Sequence, residues 1–276
     1  MALDFDNLVI DRPLRVRMQD KSTGELMYMV DQIKDATLTN GAEQVFITGS
    51  AGVRLATLNR NKTTSFSFNN GLVSMSMLAS QTGSDRELAS SVNKIKTPAF
   101  EVIKVGTSDG STVNTTITLK NVPVGIEGAE IPFIYILQKD NSLGQKFAIG
   151  VSASSTAFAL NPETKTITLP TGAGITAETQ IAVDYEYMAE SAIRVVNRGD
   201  VYGKSGRVIV ELLLRDICDQ NKLYYSQLIM PNASASGQFE FAFGSEGVVH
   251  GWQCEANQDI CSADKELFSW IVPDAA

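Results

Sequence analysis

The sequence has 276 residues, of which 43% are hydrophobic and 20% are charged, a composition that indicates a folded globular chain and excludes a largely disordered one. Its formal net charge of −8 argues against a module that grips nucleic acid through a basic face, although not against a surface along which DNA slides. No apolar stretch reaches the ~20 residues of a membrane-spanning helix, and the first residues show no secretory signal. We therefore expect a soluble protein that is made in the cytoplasm.

Alternation of apolar and polar residues is the dominant pattern along the chain. In Thr63–Phe68, two phenylalanines lie on one face and two serines lie on the other; Arg207–Arg215 and Gln238–Phe243 alternate in the same way. Many short strands separated by turn residues predict a mostly-β fold with a barrel or sandwich core. The predicted strands are Val45–Thr48, Thr63–Phe68, Glu101–Val105, Thr115–Lys120, Phe133–Lys139, Lys146–Val151, Thr164–Leu169, Ile181–Tyr187, Arg207–Arg215, Leu223–Met230, Gln238–Phe243 and Val248–Ala256.

One segment follows a helical period instead. The apolar residues of Leu72–Thr82 form a single stripe, which predicts one short α-helix. Asn69 or Asn70 is expected to cap its start and Gly83 to close it; the alternative is a longer helix that continues through Asp85 to Asn93. Packing against a β-barrel is sufficient to explain this helix.

The composition of the chain changes near Pro98 and again near Met188. The segment between them is rich in Thr, Ser, Gly and Val and has its own turns. We predict that residues 1–98 and 189–276 form one β-barrel core, and that residues 99–188 form an inserted accessory β-sandwich.

Three short motifs resemble enzyme signatures but lack the context that the chemistry needs. Gly199–Ser205 has three residues between its glycines where a phosphate-binding loop has four, and a strand follows it. Gly172–Ala177 matches a dinucleotide glycine pattern, yet a strand and not a helix comes next. Ser91 and Lys94 have the spacing of some acyl-transfer enzymes, but no companion motif follows.

The residues that most often carry catalysis or bind metal are also sparse. His250 is the only histidine, and it lies within a predicted strand with no nucleophile motif to pair with. Cys218, Cys254 and Cys261 lack the tight Cys-x₂₋₄-Cys step that typifies zinc sites, and are expected to be reduced thiols. We predict no catalytic residue, no cofactor and no metal, and therefore that the protein is not an enzyme.

The order of these features resembles the major tail (tail tube) proteins of long-tailed bacteriophages. The resemblance is a diffuse pattern of strands and turns that covers most of the chain and contains no diagnostic short motif. A β-rich start leads to a single helix, then to an inserted sandwich, then to a final β block. The segments that carry it are Gly52–Phe66, Leu72–Thr82, Thr166–Gly172, Val183–Tyr187, Leu214–Cys218, Leu228–Pro231, Phe239–Ser245 and Trp252–Ala256.

The resemblance implies a virion protein that stacks as hexameric rings into a hollow tube. Inner strands of neighbouring copies would join around the lumen, loops and the N-terminal arm would link the rings, and the genome would pass through without specific binding. A channel for a polyanion is expected to be acidic, because a basic lining would hold phosphates. Glu211 and Glu240, each on the more polar face of an alternating strand, are the predicted channel-lining residues.

Two other functions remain open at this point. One is another virion structural protein, such as a capsid or decoration protein, although no long spine helix is predicted. The other is a monomeric host- or carbohydrate-binding β module, although Trp252 and Trp270 do not form a cluster of surface aromatics in the sequence.

Overall fold

The computed structural model describes residues 7–219, 221–244, 247–259 and 264–273. The fold is mostly β with one α-helix in these ranges, and curled sheets form a half-barrel, which confirms the predicted fold class. The same residues contain no helix that is long and apolar enough to cross a membrane. The chain divides into two compact units: one comprises the residues up to Glu87 and from Val195 onward, and the other is Leu88–Arg194.

Every predicted strand overlaps an observed one, and several observed strands were not predicted, including the first two. In chain order the elements are β1 (Leu8–Gln19), β2 (Leu26–Val30), β3 (Ile33–Thr48), β4 (Arg54–Asn70), α1 (Met75–Thr82), β5 (Glu87–Leu88), β6 (Ile95–Lys104), β7 (Thr116–Thr118), β8 (Pro123–Val124), β9 (Phe133–Leu137), β10 (Leu143–Ile149), β11 (Ala157–Asn161), β12 (Thr166–Thr168), β13 (Gln180–Ala189), β14 (Ile193–Arg194), β15 (Ser205–Asp216), β16 (Leu223–Ala235), β17 (Phe241–Gly244), β18 (Gly247–Ala256) and β19 (Ser269–Ile271). β5 and β14 pair with each other.

The first unit is built on one sheet with the strand order β2-β1-β15-β16-β18-β4-β3. One face of this sheet is the core, because alternate residues such as Val208 and Val210 of β15 are fully buried on it. Trp252 lies at the centre of the core, with its ring 5.8 Å from that of Tyr28 and 5.3 Å from that of Phe68. The opposite face of β1, β15 and β16 is mixed, because it carries Arg15 and Arg17 but also Ile209 and Ile229, which are 4% and 7% exposed.

Helix α1 is shorter than predicted at both ends. The side chain of Ser74 caps it by accepting a hydrogen bond from the Met77 amide, so the predicted caps Asn69 and Asn70 are wrong, as is the start at Leu72. Both asparagines end β4, where they pair with β18. The helix ends at Gly83, as predicted, and the extension to residue 93 is wrong.

Gly83 ends the helix because two constraints meet there. Its φ is +73°, which disfavours any other residue, and a β-carbon at this position would overlap the carbonyl oxygen of Tyr202.

The second unit contains a sheet with the strand order β6-β13-β9-β10-β11-β12-β7 and its own apolar core, which includes Phe147, Phe158 and Ile181. β6 pairs with β13 along its whole length, from Ile95 opposite Ala189 to Lys104 opposite Gln180. The predicted boundaries at residues 99 and 188 therefore lie within these two strands. Whether this unit is an independent accessory domain stays a prediction.

Candidate functional site

The longest feature that projects from the first sheet is the hairpin of β3 and β4. β18 pairs with β4 only from Ser65 to Asn70, whereas β3 pairs with β4 out to Thr48 opposite Arg54. Residues 40–64, called the ribbon below, are therefore two strands to which no third strand is paired in the part of the chain that the structure describes. At ~3.4 Å per residue the ribbon extends ~35 Å beyond the sheet.

The two faces of the ribbon differ in chemistry. On one face Val45 lies opposite Leu58 and Ile47 lies opposite Ala56; Ile47 is 45% exposed and Leu58 is 38% exposed. The other face is mixed, because it carries Phe46, which is 43% exposed, beside polar residues. It pairs Gln44 with Asn59 and Phe46 with Thr57, and the Arg54 guanidinium lies 3.4 Å from the centre of the Phe46 ring. We refer to Val45, Ile47, Ala56 and Leu58 as the apolar face of the ribbon.

Glu211 lies on the polar face of β15, as the alternation predicts, but beneath two arginines. It is only 2% exposed, and its carboxylate accepts from Arg15 Nε at 2.6 Å and from Arg17 Nη1. Both arginines belong to β1, where Arg15 is directly opposite Glu211. The sequence did not show this arrangement, because residues about 200 positions apart meet only through the β1–β15 pairing.

Glu240 is exposed and lies just before β17, not inside the predicted strand. Its backbone carbonyl accepts from the Gly251 amide at 3.3 Å. Next to it the rings of Phe239 and Phe241 are 5.5 Å apart, as their shared face predicts; the side chain of Phe243 lies outside the described part. The structure does not bring Glu240 together with Glu211, and the lining of a channel by either residue stays a prediction.

The motifs that resemble enzyme signatures occupy loops. Lys204 of Gly199–Ser205 forms an ion pair with Asp85 at 2.5 Å. Gly172 and Gly174 adopt positive φ in a loop before β13. Lys94, at the end of the Ser91 segment, pairs with Glu190 at 2.7 Å.

His250 is completely buried, and both of its ring nitrogens have a hydrogen-bond partner. Its Nδ1 accepts from the Ser74 amide at 3.4 Å, its Nε2 is 2.7 Å from Gln81 Oε1, and the Phe241 ring lies 4.4 Å away. Burial lowers the pKa of His250 from 6.5 to about 4. The imidazole therefore links β18 to both ends of helix α1.

The cysteines do not form a cluster with His250 in the described residues. Cys254 is buried, and burial raises the pKa of its thiol to about 12, whereas Cys218 is exposed. Cys261 lies outside the described residues. Within the described ranges, no group of three or more His, Cys, Asp or Glu residues is arranged to hold a metal ion.

The model of the YomU/Tube protein family matches residues 8–257, a range that includes the Leu88–Arg194 unit, most of the first unit, the ribbon and the Arg15–Glu211 pair. No curated protein matches the chain.

Proposed function

Since the chain belongs to the YomU/Tube protein family, we propose that it is a structural subunit of the tail tube of a long-tailed bacteriophage. In this proposal copies of the chain form hexameric rings, the rings stack into a tube together with other tail proteins, and the genome passes through the lumen. The protein is assembled in the host cytoplasm and resides in the virion. It performs no enzymatic reaction and needs no cofactor.

The ribbon is the observation that supports self-assembly most directly. A lone two-stranded hairpin is marginally stable in water and gains stability when it packs against other structure. Unpaired strand edges also invite pairing with another chain. The ribbon has both properties, and its apolar face leaves Ile47 and Leu58 exposed in the single chain. A neighbouring copy that covers this face would remove the exposed apolar surface and hold the ribbon in place.

The first test is the assembly state of the purified chain at increasing concentration. We expect rings or tubes by negative-stain electron microscopy, and species larger than the monomer by sedimentation velocity. Closed shells or trimers would instead indicate a capsid or decoration protein. Single particles at every concentration, also after addition of preformed tail tips as initiators, would contradict the proposal and favour a monomeric binding module.

The second test concerns the Leu88–Arg194 unit, which we propose is an accessory domain. The chain enters and leaves this unit side by side, because the Ala89 amide donates to the Ala192 carbonyl at 2.8 Å. Replacing Ser90–Ser191 with an Asn-Gly turn, which suits a tight connection of two strands, is expected to leave a folded and assembly-competent core. Circular dichroism and electron microscopy check this outcome. A truncated chain that is unfolded would contradict the idea of an accessory domain.

A further inference from the structure

We propose that the outer face of the sheet in the Leu88–Arg194 unit binds a neutral oligosaccharide that carries N-acetyl groups. This activity goes beyond the proposed assembly into a tube, and the binding itself is a property of the single chain. It becomes a contact with the bacterial cell wall only if the proposed function holds, because the glycan strands of that wall are chains of N-acetylated sugars.

Exposed aromatic side chains that are far apart in the sequence lie together on this face. Phe100 of β6 is directly opposite Asp184 of β13. On the other side of β13, the register with β9 puts Tyr135 beside Ala182 and Phe133 beside Asp184. Phe100 and Phe133 therefore flank Asp184, with their Cα atoms roughly 10 Å apart. We call Phe100, Phe133, Tyr135 and Asp184 the aromatic platform.

The aromatic platform is open to solvent although much of it is apolar. Phe100 is 65% exposed and Phe133 is 38% exposed, and Val102 beside Phe100 widens the exposed apolar surface. Covering such side chains is favourable, because it removes apolar area from water. Aromatic rings also offer flat faces, against which the C–H groups of a sugar ring pack. Two rings in one row of a sheet therefore suit a chain of sugar rings.

The charges of this face nearly cancel, which favours a neutral ligand. Two of its lysines are neutralised by glutamates, in the ion pairs Lys96–Glu186 and Lys104–Glu178. The remaining lysine, Lys146, and the remaining carboxylate, Asp184, have opposite signs. Lys146 Nζ lies 4.5 Å from the centre of the Phe133 ring. Neither a polyanion nor a polycation finds a net charge here that would attract it.

Asp184 distinguishes a sugar from a protein partner. Its carboxylate is exposed and forms no ion pair with the residues that the structure describes. A second copy of the chain that covered both phenylalanines would bury this carboxylate, and charged groups are depleted at the centres of protein interfaces because their burial is costly. An oligosaccharide instead supplies O–H and N–H donors and leaves part of the carboxylate in water.

An acetamido group fits the aromatic platform better than a hydroxyl group does. Its N–H can donate to Asp184 while its methyl group packs on a phenylalanine ring beside the carboxylate. A hydroxyl group offers the donor without the apolar contact. The alternation of an acceptor with apolar rings therefore selects N-acetylated sugars.

The edge of this sheet is protected against pairing with another chain. β6 is the last strand in the order of the sheet, and Pro98 near its middle has no amide proton to donate. Lys96 and Lys104 are exposed towards its two ends. Proline and lysine are the residues with which edge strands avoid pairing. The unit therefore offers its face, and not its edge, to a partner.

A groove continues the aromatic platform from Asp184. It has a volume of about 720 Å³, which is the size of a typical ligand site. Its walls combine the apolar side chains of Pro98, Ile126 and Met188 with the carboxylates of Asp184 and Glu186. A chain of several sugar rings can lie on the platform and continue into the groove, so a tetramer is expected to bind more tightly than a monosaccharide.

The experiment titrates the isotope-labelled full chain, below the concentration at which it assembles, with the β-linked tetramer of N-acetylglucosamine and follows the amide resonances by NMR. We expect shifts confined to β6, β9, β13 and the groove, with the same affinity at about 20 and 150 mM salt because the ligand is uncharged. The tetramer of glucose with the same linkage lacks acetamido groups and is expected to bind several-fold more weakly. Equal binding of the two tetramers, or no shifts on this face, would overturn the proposal.

Two variants and a matched control locate the binding. Phe100→Ala and Asp184→Ala are each expected to weaken binding roughly tenfold. Both side chains are exposed, so thermal unfolding of these variants is expected to match that of the wild type. Tyr202→Ala removes an aromatic side chain that is 84% exposed in the first unit, and this control is expected to bind like the wild type. Equal losses in the control and the platform variants would contradict a specific site.

The remaining outcomes separate the aromatic platform from the assembly surface. If Phe100→Ala binds the tetramer normally but no longer forms tubes, the platform faces a second copy and the sugar proposal is wrong. If the wild type binds the tetramer as expected but never assembles, the proposed tube function fails and the platform proposal stands.

Discussion

A chain that carries Ile47→Asp is expected to fold normally and to remain unassembled at concentrations at which the wild-type chain forms tubes. Ile47 is 45% exposed in the single chain, so a carboxylate there is solvated and costs the monomer little. In the assembly the same carboxylate would be buried against the neighbouring copy without a partner. A penalty of about 3 kcal/mol for each contact raises the concentration needed for assembly roughly a hundredfold. Sedimentation velocity and negative-stain imaging measure this threshold.

The control for this prediction lies on the other face of the same ribbon. Thr57 is opposite Phe46 on this mixed face, and Thr57→Asp adds the same charge to the same strand pair. We expect Thr57→Asp to assemble near the wild-type concentration. Normal assembly of Ile47→Asp would show that the apolar face is not an interface. Loss of assembly in both variants would show that the ribbon tolerates no added charge, so that its apolar face is not the specific contact.

The fold class was predictable because the buried strands carry their pattern locally. β15 alternates Val208, Val210, Leu212 and Leu214 with a more polar series, and β4 ends in the alternation of Phe66 and Phe68. Residues that must face a core every second position reveal the strand without knowledge of its partners. The Gly83 end of helix α1 was predictable for the same reason, since a left-handed terminus favours glycine through local sterics alone.

Elements that depend on distant partners were not predictable in this way. In β1 the alternation of the two faces is interrupted, because the register shifts at Ile10/Arg12 and again at Pro13/Arg15. The ribbon is exposed on both faces and shows little alternation of burial, which explains why only Val45–Thr48 and the start of Thr63–Phe68 were predicted there. Ser74 caps the helix in place of the predicted asparagines, because Asn69 and Asn70 still belong to β4 and pair there with β18.

The candidate site illustrates the same limit. A search for runs of basic residues finds none, because Arg12, Arg15 and Arg17 are separated in sequence from Arg207 and Arg215. Only the antiparallel pairing of β1 with β15 places them on one face. The alternation of β15 correctly assigns Glu211 to the polar face, but polarity of a face does not reveal that two arginines from another strand neutralise the carboxylate.

Acidification is expected to destabilise the first unit through His250. The pKa of the buried imidazole is about 4, below its ordinary value of 6.5, because burial disfavours the charged form. The unfolded chain therefore binds a proton between these two pH values and the folded chain does not. The stabilising contribution is complete above pH 6.5 and is lost as the pH falls towards 4; a difference of this size is worth about 3 kcal/mol of unfolding free energy.

The geometry around His250 explains why protonation is unfavourable there. Nδ1 accepts from the Ser74 amide, so a proton on this nitrogen would face a donor, and Nε2 already contacts Gln81 Oε1. The rings of Phe239 and Phe241 on the other side supply no negative charge to compensate. A cation at this position would therefore break the link between Ser74, Gln81 and β18.

Because His250 is the only histidine of the chain, its imidazole resonance in tag-free protein reports this titration without ambiguity. We expect no titration above pH 5 and a midpoint near 4, together with urea unfolding that becomes easier between pH 6.5 and 4. His250→Gln should be less stable than the wild type at neutral pH, and this difference in unfolding free energy should shrink as the pH falls. A resonance that titrates near 6.5 in the folded protein, or a wild-type–variant difference that is the same at both pH values, would contradict a buried neutral imidazole at this position.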